Sequence, residues 1–331
     1  MMNARLPKCC LTLVAGCFVA ATQPALAQKG DAAAAFPARP IRIIVPFTPG
    51  GQPDIFSRML SQHMSESLGQ QIVVDNRPGA GGMIGSRIVA ESTPDGHTLL
   101  SISPAHVIGP AVRKLPYNTR RDFSGVSKSY TAAYLLVASP AMGVKSAKEL
   151  ISLAKAKPGQ LNLASAGRGS GTHFAGEYFK HAAGIDVVHV PFKGIPEAMN
   201  DILAGRVHIF MAPLSSSVPL LRDGRIRALG VSTTKRVGVL PEVPTLAEAG
   251  LKDFQFDSWG AVFVPSKTPR AIVDKVNRAM VNALRDPSIV KRMHVLGAEP
   301  SPTTPAELDR IVQRELVTIQ KLADIAGIKP E

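Results

Sequence analysis

Two glycine-rich segments, each placed after an apolar run, have the residue types and spacing that could bind an anion. The apolar run 41–45 leads through Thr48-Pro49-Gly50-Gly51 into a segment whose apolar residues repeat at helical spacing. Residues 161–165 lead in the same way into AGRGSGT at 166–172. A helix start presents backbone N–H groups without intrahelical partners and the positive end of the helix dipole. Because glycine has no Cβ, an anion can approach these donors closely, so each segment predicts an anion site.

We name residues 47–54 the first corner and residues 165–173 the second corner. A tight turn without a ligand is the simpler explanation of either corner alone. Two corners that face each other across a cleft could bind one carboxylate from both sides, and the pair therefore favours binding. A nucleotide loop is disfavoured, because Thr172 stands where a Rossmann fingerprint has Gly or Ala and the P-loop lysine is missing.

Two charged residues in the corners each have two possible roles. Asp54 either stabilises the first turn of the following helix or pairs with an ammonium group of a ligand. Arg168 favours a dianionic ligand if its side chain points into the cleft, and otherwise contributes surface charge. The sequence leaves both pairs of roles open.

The elements that must position the corners are short apolar runs that alternate with segments of helical spacing. This alternation indicates an α/β fold with mostly parallel sheets. Residues 123–139 predict a long strand that leaves the first half of the chain, and residues 256–265 predict a strand that returns to it. Ser146 and Glu149 have the spacing of a capping box. Three C-terminal helices are predicted, at 269–284, 287–296 and 304–326.

Composition restricts the possible function classes. The 331 residues suit about two domains, and a hydrophobic content of 45% is enough to form a core. The net charge of +13 favours anionic partners, but the cations are scattered and not interleaved with aromatic residues. We therefore expect no nucleic-acid partner. The sequence has no H-E-x-x-H motif and no Cys/His cluster, so no metal site is predicted.

The N-terminus has the features of an export signal. Arg5 and Lys8 precede the apolar stretch 11–21, and Ala-Leu-Ala ends at Ala27 before Gln28. We predict a signal segment at 1–27 that is cleaved after Ala27. The alternative is a lipoprotein box, Val-Ala-Gly-Cys, which would leave Cys17 lipidated. All three cysteines lie at 9–17, so cleavage after Ala27 leaves a periplasmic chain without disulfides.

Several longer stretches resemble one known family. ARPIRIIVPFTPGGQPDIFSR, VVDNRPGAGGMIGSRIVAESTPDGHTLL, HVPFKGIPEAMNDILAGRVHI and GRIRALGVSTTKR resemble the extracytoplasmic solute receptors of tripartite tricarboxylate transporters, the Bug-type proteins. The resemblance covers nearly the whole mature chain. It implies a two-domain α/β clamshell of the type II periplasmic-binding-protein kind, with crossing hinge strands. We assign residues 36–139 plus 262–331 to domain 1 and residues 140–261 to domain 2.

The resemblance also implies a function. Such a protein is a receptor, not an enzyme, and it captures a small carboxylate: a di- or tricarboxylate, an acidic amino acid or an aromatic acid. Its partners are the membrane subunits of the transporter, and we expect a monomer without a cofactor. By position in the two corners, the implied ligand-binding residues are Phe47, Thr48, Gly50, Gly51, Asp54, Ser165, Gly169, Ser170, Gly171, Thr172 and His173.

Two alternative functions remain. A periplasmic hydrolase could draw a catalytic triad from residues such as Ser165, Ser170 and His173, although a complete G-x-S-x-G elbow is missing. The second alternative is a receptor that reports to a two-component sensor. Transport and sensing both require domains that close on a ligand, so the sequence does not separate them.

Overall fold

The computed structural model describes Met1, Met2 and residues 35–328. The predicted signal segment, its cleavage site and Cys17 lie outside these residues. In chain order the strands are β1 (Ile41–Val45), β2 (Ile72–Asn76), β3 (Thr98–Ile102), β4 (Phe123–Ala132), β5 (Tyr134–Ala138), β6 (Asn162–Ser165), β7 (Val188–Pro191), β8 (Ile209–Pro213), β9 (Arg227–Val231), β10 (Ser258–Pro265) and β11 (Ala298–Pro300).

The α-helices connect and cover these strands. In chain order they are α1 (Gln52–Leu68), α2 (Met83–Ala90), α3 (Ala105–Val112), α4 (Ala147–Ala156), α5 (Gly171–Ala183), α6 (Ile195–Leu203), α7 (Leu214–Arg222), α8 (Arg270–Arg285), α9 (Pro287–Val295) and α10 (Pro305–Ile325). The three predicted C-terminal helices are confirmed to within one or two residues, the usual uncertainty of a helix end. Sequence analysis assigned no helix to α3, which contains Pro110.

The strands form two mixed sheets, and each sheet is the centre of one lobe. The first has the order β11-β4-β10-β3-β1-β2, and the second has the order β7-β6-β8-β5-β9. β1 is parallel to β2 and β3, and β6 is parallel to β7 and β8, as the strand–helix alternation predicts. Every antiparallel pair includes β4, β5 or β10. The expectation of mostly parallel sheets is correct for the strand–helix–strand parts, and the crossing strands make both sheets mixed.

The chain crosses between the lobes at Ala133 and again just before β10. The single long strand predicted at 123–139 is two strands, because β4 pairs with β10 in the first sheet whereas β5 pairs with β8 and β9 in the second. These sheet memberships put both crossings a few residues before the predicted domain limits at 139 and 261. Trp259, at the start of β10 and close to the second crossing, is 5% exposed.

Short side chains cap the starts of α4, α5, α9 and α10. Ser146 accepts the Glu149 N–H at α4, but the Glu149 carboxylate accepts the N–H of Lys145 and not that of Ser146, so the predicted capping box is only half formed. A complete capping box lies at α10, between Thr304 and Glu307.

One apolar cluster includes residues of both lobes, such as Phe47 and Leu136, so the lobes share part of their core. Within the described ranges, no helix has both the length and the apolar character that a bilayer crossing requires.

Candidate functional site

The first corner connects β1 to α1 and is built around Asp54. Gly51 is the N-cap of α1 and supplies no side-chain cap, while Gly50 has a φ of +87°, a conformation that favours glycine. The Gly50 N–H donates to Asp54 Oδ2 at 2.9 Å, and Arg58 Nε donates to Asp54 Oδ1 at 3.0 Å. Asp54 is only 3% exposed. Both carboxylate oxygens are therefore engaged, one by the first corner and one by Arg58 of α1, and this geometry favours the structural role of Asp54.

The second corner connects β6 to α5 and is held by hydroxyl groups. Thr172 Oγ1 accepts the Ala166 N–H at 2.8 Å, and Ser165 Oγ accepts the Gly167 N–H at 3.1 Å. Ser170 is the N-cap of α5, where its Oγ accepts the His173 N–H at 3.1 Å. Several amides that the sequence offered to a ligand are thus hydrogen-bonded inside the loop. The first two amides of α5, at Gly171 and Thr172, precede the intrahelical ladder and point out of the helix start.

The two corners line one cavity between the lobes. Five predicted residues are among those that border it: Phe47, Gly51, Ser170, Gly171 and Thr172. The cavity measures about 20 Å³, which is the space of roughly one water molecule. This space is too small for an organic acid.

A wider cavity of about 550 Å³ lies at the mouth of the same cleft, since Phe47 and Ala166 line both spaces. Its border includes three cationic residues, Arg113, Arg168 and Lys193. Arg168 borders this wider cavity and a second one behind the second corner, but not the inner cavity. An excess of positive charge at the entrance of a cleft raises the local concentration of anions.

Six predicted residues do not line the inner cavity: Thr48, Gly50, Asp54, Ser165, Gly169 and His173. Thr48 contacts the other lobe instead, through a 3.3 Å hydrogen bond from its Oγ1 to Glu197 Oε2. Sequence analysis missed several cavity-lining residues, among them Gln52, Ser103, Tyr134 and Ile195. Gln52 could have been predicted from the sequence, because it lies inside the first corner and is the first residue of the helix that follows. The sequence carries no signal that Tyr134 lines the cavity, because its position depends on where the chain crosses between the lobes. Burial raises the pKa of the Tyr134 hydroxyl.

The glycine-rich segment 79–85 makes a close backbone contact with the other lobe. A Cβ on Gly81 would lie 1.8 Å from the carbonyl oxygen of Arg168 in the second corner. A Cβ on Gly167 would in turn lie 3.4 Å from the Gly81 nitrogen. The segment therefore packs directly against the second corner.

Behind the second corner, two histidines and a glutamate lie together. His173 and His189 have ring centroids 4.4 Å apart, and His189 Nε2 lies 2.6 Å from Ser165 Oγ. Burial, and then neighbouring positive charge, lowers the pKa of His173 to about 3 and that of His189 to about 4, so both rings are neutral at pH 7. One ligand atom each from His173, Glu177 and His189 lie within 4.8 Å of one another. Sequence analysis predicted no metal site from the absence of a ligand motif, and it could not bring His189 of β7 next to His173 and Glu177 of α5.

The serine–histidine contacts do not form an accessible nucleophile. Ser165 is completely buried, and its Oγ already accepts the Gly167 N–H. Ser170 Oγ caps α5, and the His173 ring accepts the Gly169 N–H at Nδ1, 3.3 Å away, rather than contacting Ser170 Oγ. Nucleophilic catalysis needs a base in contact with a hydroxyl that the substrate can reach, and neither serine meets both conditions.

A comparison with protein families identifies the family of this chain. The profile of the tripartite tricarboxylate transporter family receptors, TctC, matches residues 56–327. The chain belongs to this receptor family. Members of the family are solute-binding receptors, and solved periplasmic binding proteins of this kind share the two-lobed α/β fold of this chain.

Three relatives show how far the similarity extends. The protein BugT of Bordetella pertussis (strain Tohama I) is 35% identical over 309 residues, which is 92% of this chain and 94% of BugT. Two solved structures are those of R. palustris Rpa4515 with adipate and of MatC from Rhodopseudomonas palustris with bound malate. The first has a TM-score of 0.87 at 35% identity and covers 89% of this chain and 100% of its own. The second has a TM-score of 0.84 at 33% identity and covers 87% and 99%.

Proposed function

We propose that this TctC-family receptor works in the periplasm, where it captures a small carboxylate between its two corners and delivers it to the membrane subunits of a tripartite tricarboxylate transporter. The observation that carries the proposal is that helix starts from opposite lobes border one cleft. Each start offers N–H donors and a positive dipole end, so a carboxylate held between them satisfies donors of both lobes.

Dicarboxylates are the first ligands to test. The two similar structures hold adipate and malate, both of which carry two carboxylates. In this chain the inner cleft suits one carboxylate at the helix starts, and the cations at the mouth suit a second negative charge. Arg113 and Lys193 border that mouth on opposite lobes. The inner cavity of about 20 Å³ means that binding begins from a more open form than the one described.

The binding experiment starts from protein that has been unfolded, dialysed and refolded to remove any acid that co-purifies. Adipate, malate, citrate, glutamate and benzoate are screened by thermal shift, and each hit is titrated by calorimetry. We expect saturable binding of at least one of these acids at one site. NMR of the same mixtures follows the hydrolase alternative, because a hydrolase would convert an added ester or amide whereas a receptor leaves its ligand unchanged.

Gly51 provides the matched pair of variants. A Cβ at this position would meet Ile195 Cδ1 at 3.5 Å, an ordinary contact, so Gly51→Ala should retain binding. Gly51→Asp places a negative charge at the N-cap of α1, facing the bound carboxylate. We expect it to weaken binding by about a hundredfold or more, because an unpaired charge in a closed cleft is strongly unfavourable. Equal affinities for the two variants would contradict the corner site.

Delivery to a transporter and localisation need separate experiments. Uptake of the radiolabelled acid by cells with and without this chain distinguishes transport from sensing. Lost uptake supports the transporter, and a lost transcriptional response with unchanged uptake supports the two-component sensor. Mass spectrometry of the periplasmic protein should give a chain that begins at Gln28. A diacylated Cys17 would instead establish the lipoprotein alternative.

A further inference from the structure

The cluster behind the second corner has the donor set of a transition-metal site. His173 and Glu177 are four residues apart on α5 and therefore lie on one face of the helix. His189 reaches the same point from β7, the edge strand of the second sheet. Two imidazoles and a carboxylate are the three protein ligands of many open zinc sites, in which water takes the fourth position.

The distances are compatible with one ion. One potential ligand atom from each residue lies within 4.8 Å of the others. Ligands about 2.1 Å from a tetrahedral zinc ion are roughly 3.4 Å apart. The ligand atoms therefore need to approach one another by at most about 1.4 Å, which rotations of a histidine and a glutamate side chain provide.

One of the two rings already has a second partner that would orient it. His189 Nε2 contacts Ser165 Oγ at 2.6 Å, and a contact of this kind holds a metal-binding imidazole in position. His173 Nδ1 instead accepts the Gly169 N–H at 3.3 Å, so this nitrogen has no proton to donate. A neutral imidazole has one lone pair, so a metal on His173 must replace the long hydrogen bond from Gly169.

The cluster opens to a cavity that has room for an ion and its water. This cavity measures about 260 Å³ and is lined by all three residues. Residues 326–328, which follow the C-terminal end of α10, also line it. The C-terminal end of a helix carries the negative pole of its dipole, so α10 favours a cation at this point.

One lysine opposes metal binding directly. Lys180 Nζ donates to both carboxylate oxygens of Glu177, at 3.1 and 2.9 Å. The charges of Arg168 and Arg113 also act on His173. A metal ion must therefore displace the Lys180 ammonium from Glu177, and Lys180 acts as an internal competitor for the site.

We infer that His173, Glu177 and His189 bind a divalent transition-metal ion such as Zn²⁺, with water in the remaining position, and that Lys180 limits the affinity. This site is separate from the proposed carboxylate cleft, because Glu177 and His189 do not line the inner cavity. Its existence does not depend on which acid the receptor captures.

The test uses the whole chain after treatment with a chelator. Zn²⁺ is titrated by calorimetry, and Co²⁺ is titrated by the ligand-field bands that nitrogen and oxygen ligands produce in the visible spectrum. Glu177→Gln and His189→Gln should each lower the affinity at least about tenfold. Lys180→Gln should raise it, because the competing cation is gone. His181→Gln is the matched control on an exposed face of the same helix and should bind as the unaltered chain does.

The opposite signs of these effects separate a metal site from a loss of folding. Glu177→Gln could weaken binding by disturbing α5, but a disturbed helix does not explain a gain in Lys180→Gln. Circular dichroism of each variant checks that the helix is intact. The inference is overturned if the unaltered chain shows no saturable binding at micromolar metal, or if Glu177→Gln and His189→Gln bind as tightly as the unaltered chain.

Discussion

Arg113 connects the two lobes by donating a hydrogen bond from Nη2 to the main-chain carbonyl oxygen of Arg168, 2.7 Å away. Its other terminal nitrogen, Nη1, donates to the carbonyl oxygen of Ala80 at 3.0 Å. Arg113 follows α3 in the first lobe, whereas Arg168 lies in the second corner. One planar guanidinium thus holds the loop at 79–82 against the second corner and stabilises the closed cleft.

Removal of this guanidinium should open the free protein. Hydrogen bonds from charged groups each contribute about 1.5–3 kcal/mol when well formed, and partial exposure reduces this for Arg113. We expect Arg113→Ala to shift the population toward open forms, so that small-angle X-ray scattering gives a larger radius of gyration without ligand. Arg120→Ala removes a nearby exposed cation and should leave the radius unchanged. A closed Arg113→Ala variant would show that the hydrogen bond does not control closure.

Gly81→Ala should prevent full closure. The added methyl group would lie 1.8 Å from the Arg168 carbonyl oxygen, so the lobes must move apart. The φ of +62° also makes alanine unfavourable there. Gly184→Ala is the control for that effect, because Gly184 has a φ of +60° and the described residues place no atom within 4 Å of the added group. Both variants should unfold more easily, by about 1 kcal/mol. In calorimetry with the carboxylate found in the screen, we expect a large loss of affinity only for Gly81→Ala.

Asp54→Ala should weaken all carboxylates to the same extent. Because Asp54 holds the Gly50 N–H and Arg58, its loss deforms the corner regardless of the ligand's other groups. Leaving the Gly50 donor unpaired should lower the free energy of unfolding by about 1–3 kcal/mol. Calorimetry with malate and with aspartate measures the two losses, and Glu66→Ala, an exposed change on the same helix, is the control. A loss confined to aspartate would show that Asp54 binds the ammonium group.

His106→Phe should reduce the loss of stability in acid. His106 is 1% exposed, stacks on Phe263 at 4.1 Å, and has no hydrogen-bond partner for its ring nitrogens among the described residues. Burial lowers its pKa to about 3 from the ordinary 6.5. Between these two values the unfolded chain binds a proton that the folded chain does not, so stability falls as the pH falls from 6.5 toward 3.

Urea unfolding between pH 5.5 and 4.5 measures this effect. Each histidine that is neutral when folded and protonated when unfolded adds about 1.4 kcal/mol per pH unit to the slope of the free energy of unfolding against pH. His173 and His189 contribute in the same direction, since their pKa values are lowered to about 3 and about 4. We expect the His106→Phe slope to be smaller by one such contribution, with little change in stability at pH 7. Identical slopes for both proteins would mean that His106 is protonated in the folded state.

The sequence by itself determined the local elements of this protein. Hydrophobic runs and helical spacing depend on neighbouring residues, and they correctly predicted the strand–glycine–helix form of both corners and the three C-terminal helices. The family resemblance extended this to a two-lobed receptor, and the family is confirmed. The roles of the individual corner residues in binding stay predictions.

Only the tertiary structure decided which residues meet. The break at Ala133 depends on competition between two sheets for one strand, which local sequence does not encode. Asp54 proved to be engaged inside its own corner, while Gln52 and Tyr134 came to line the cleft. His189 joined His173 and Glu177 because β7 pairs beside β6. Contacts between residues that are distant in the chain depend on how whole helices and strands pack. The partners of a side chain at such a contact are therefore decided only when the lobes are assembled.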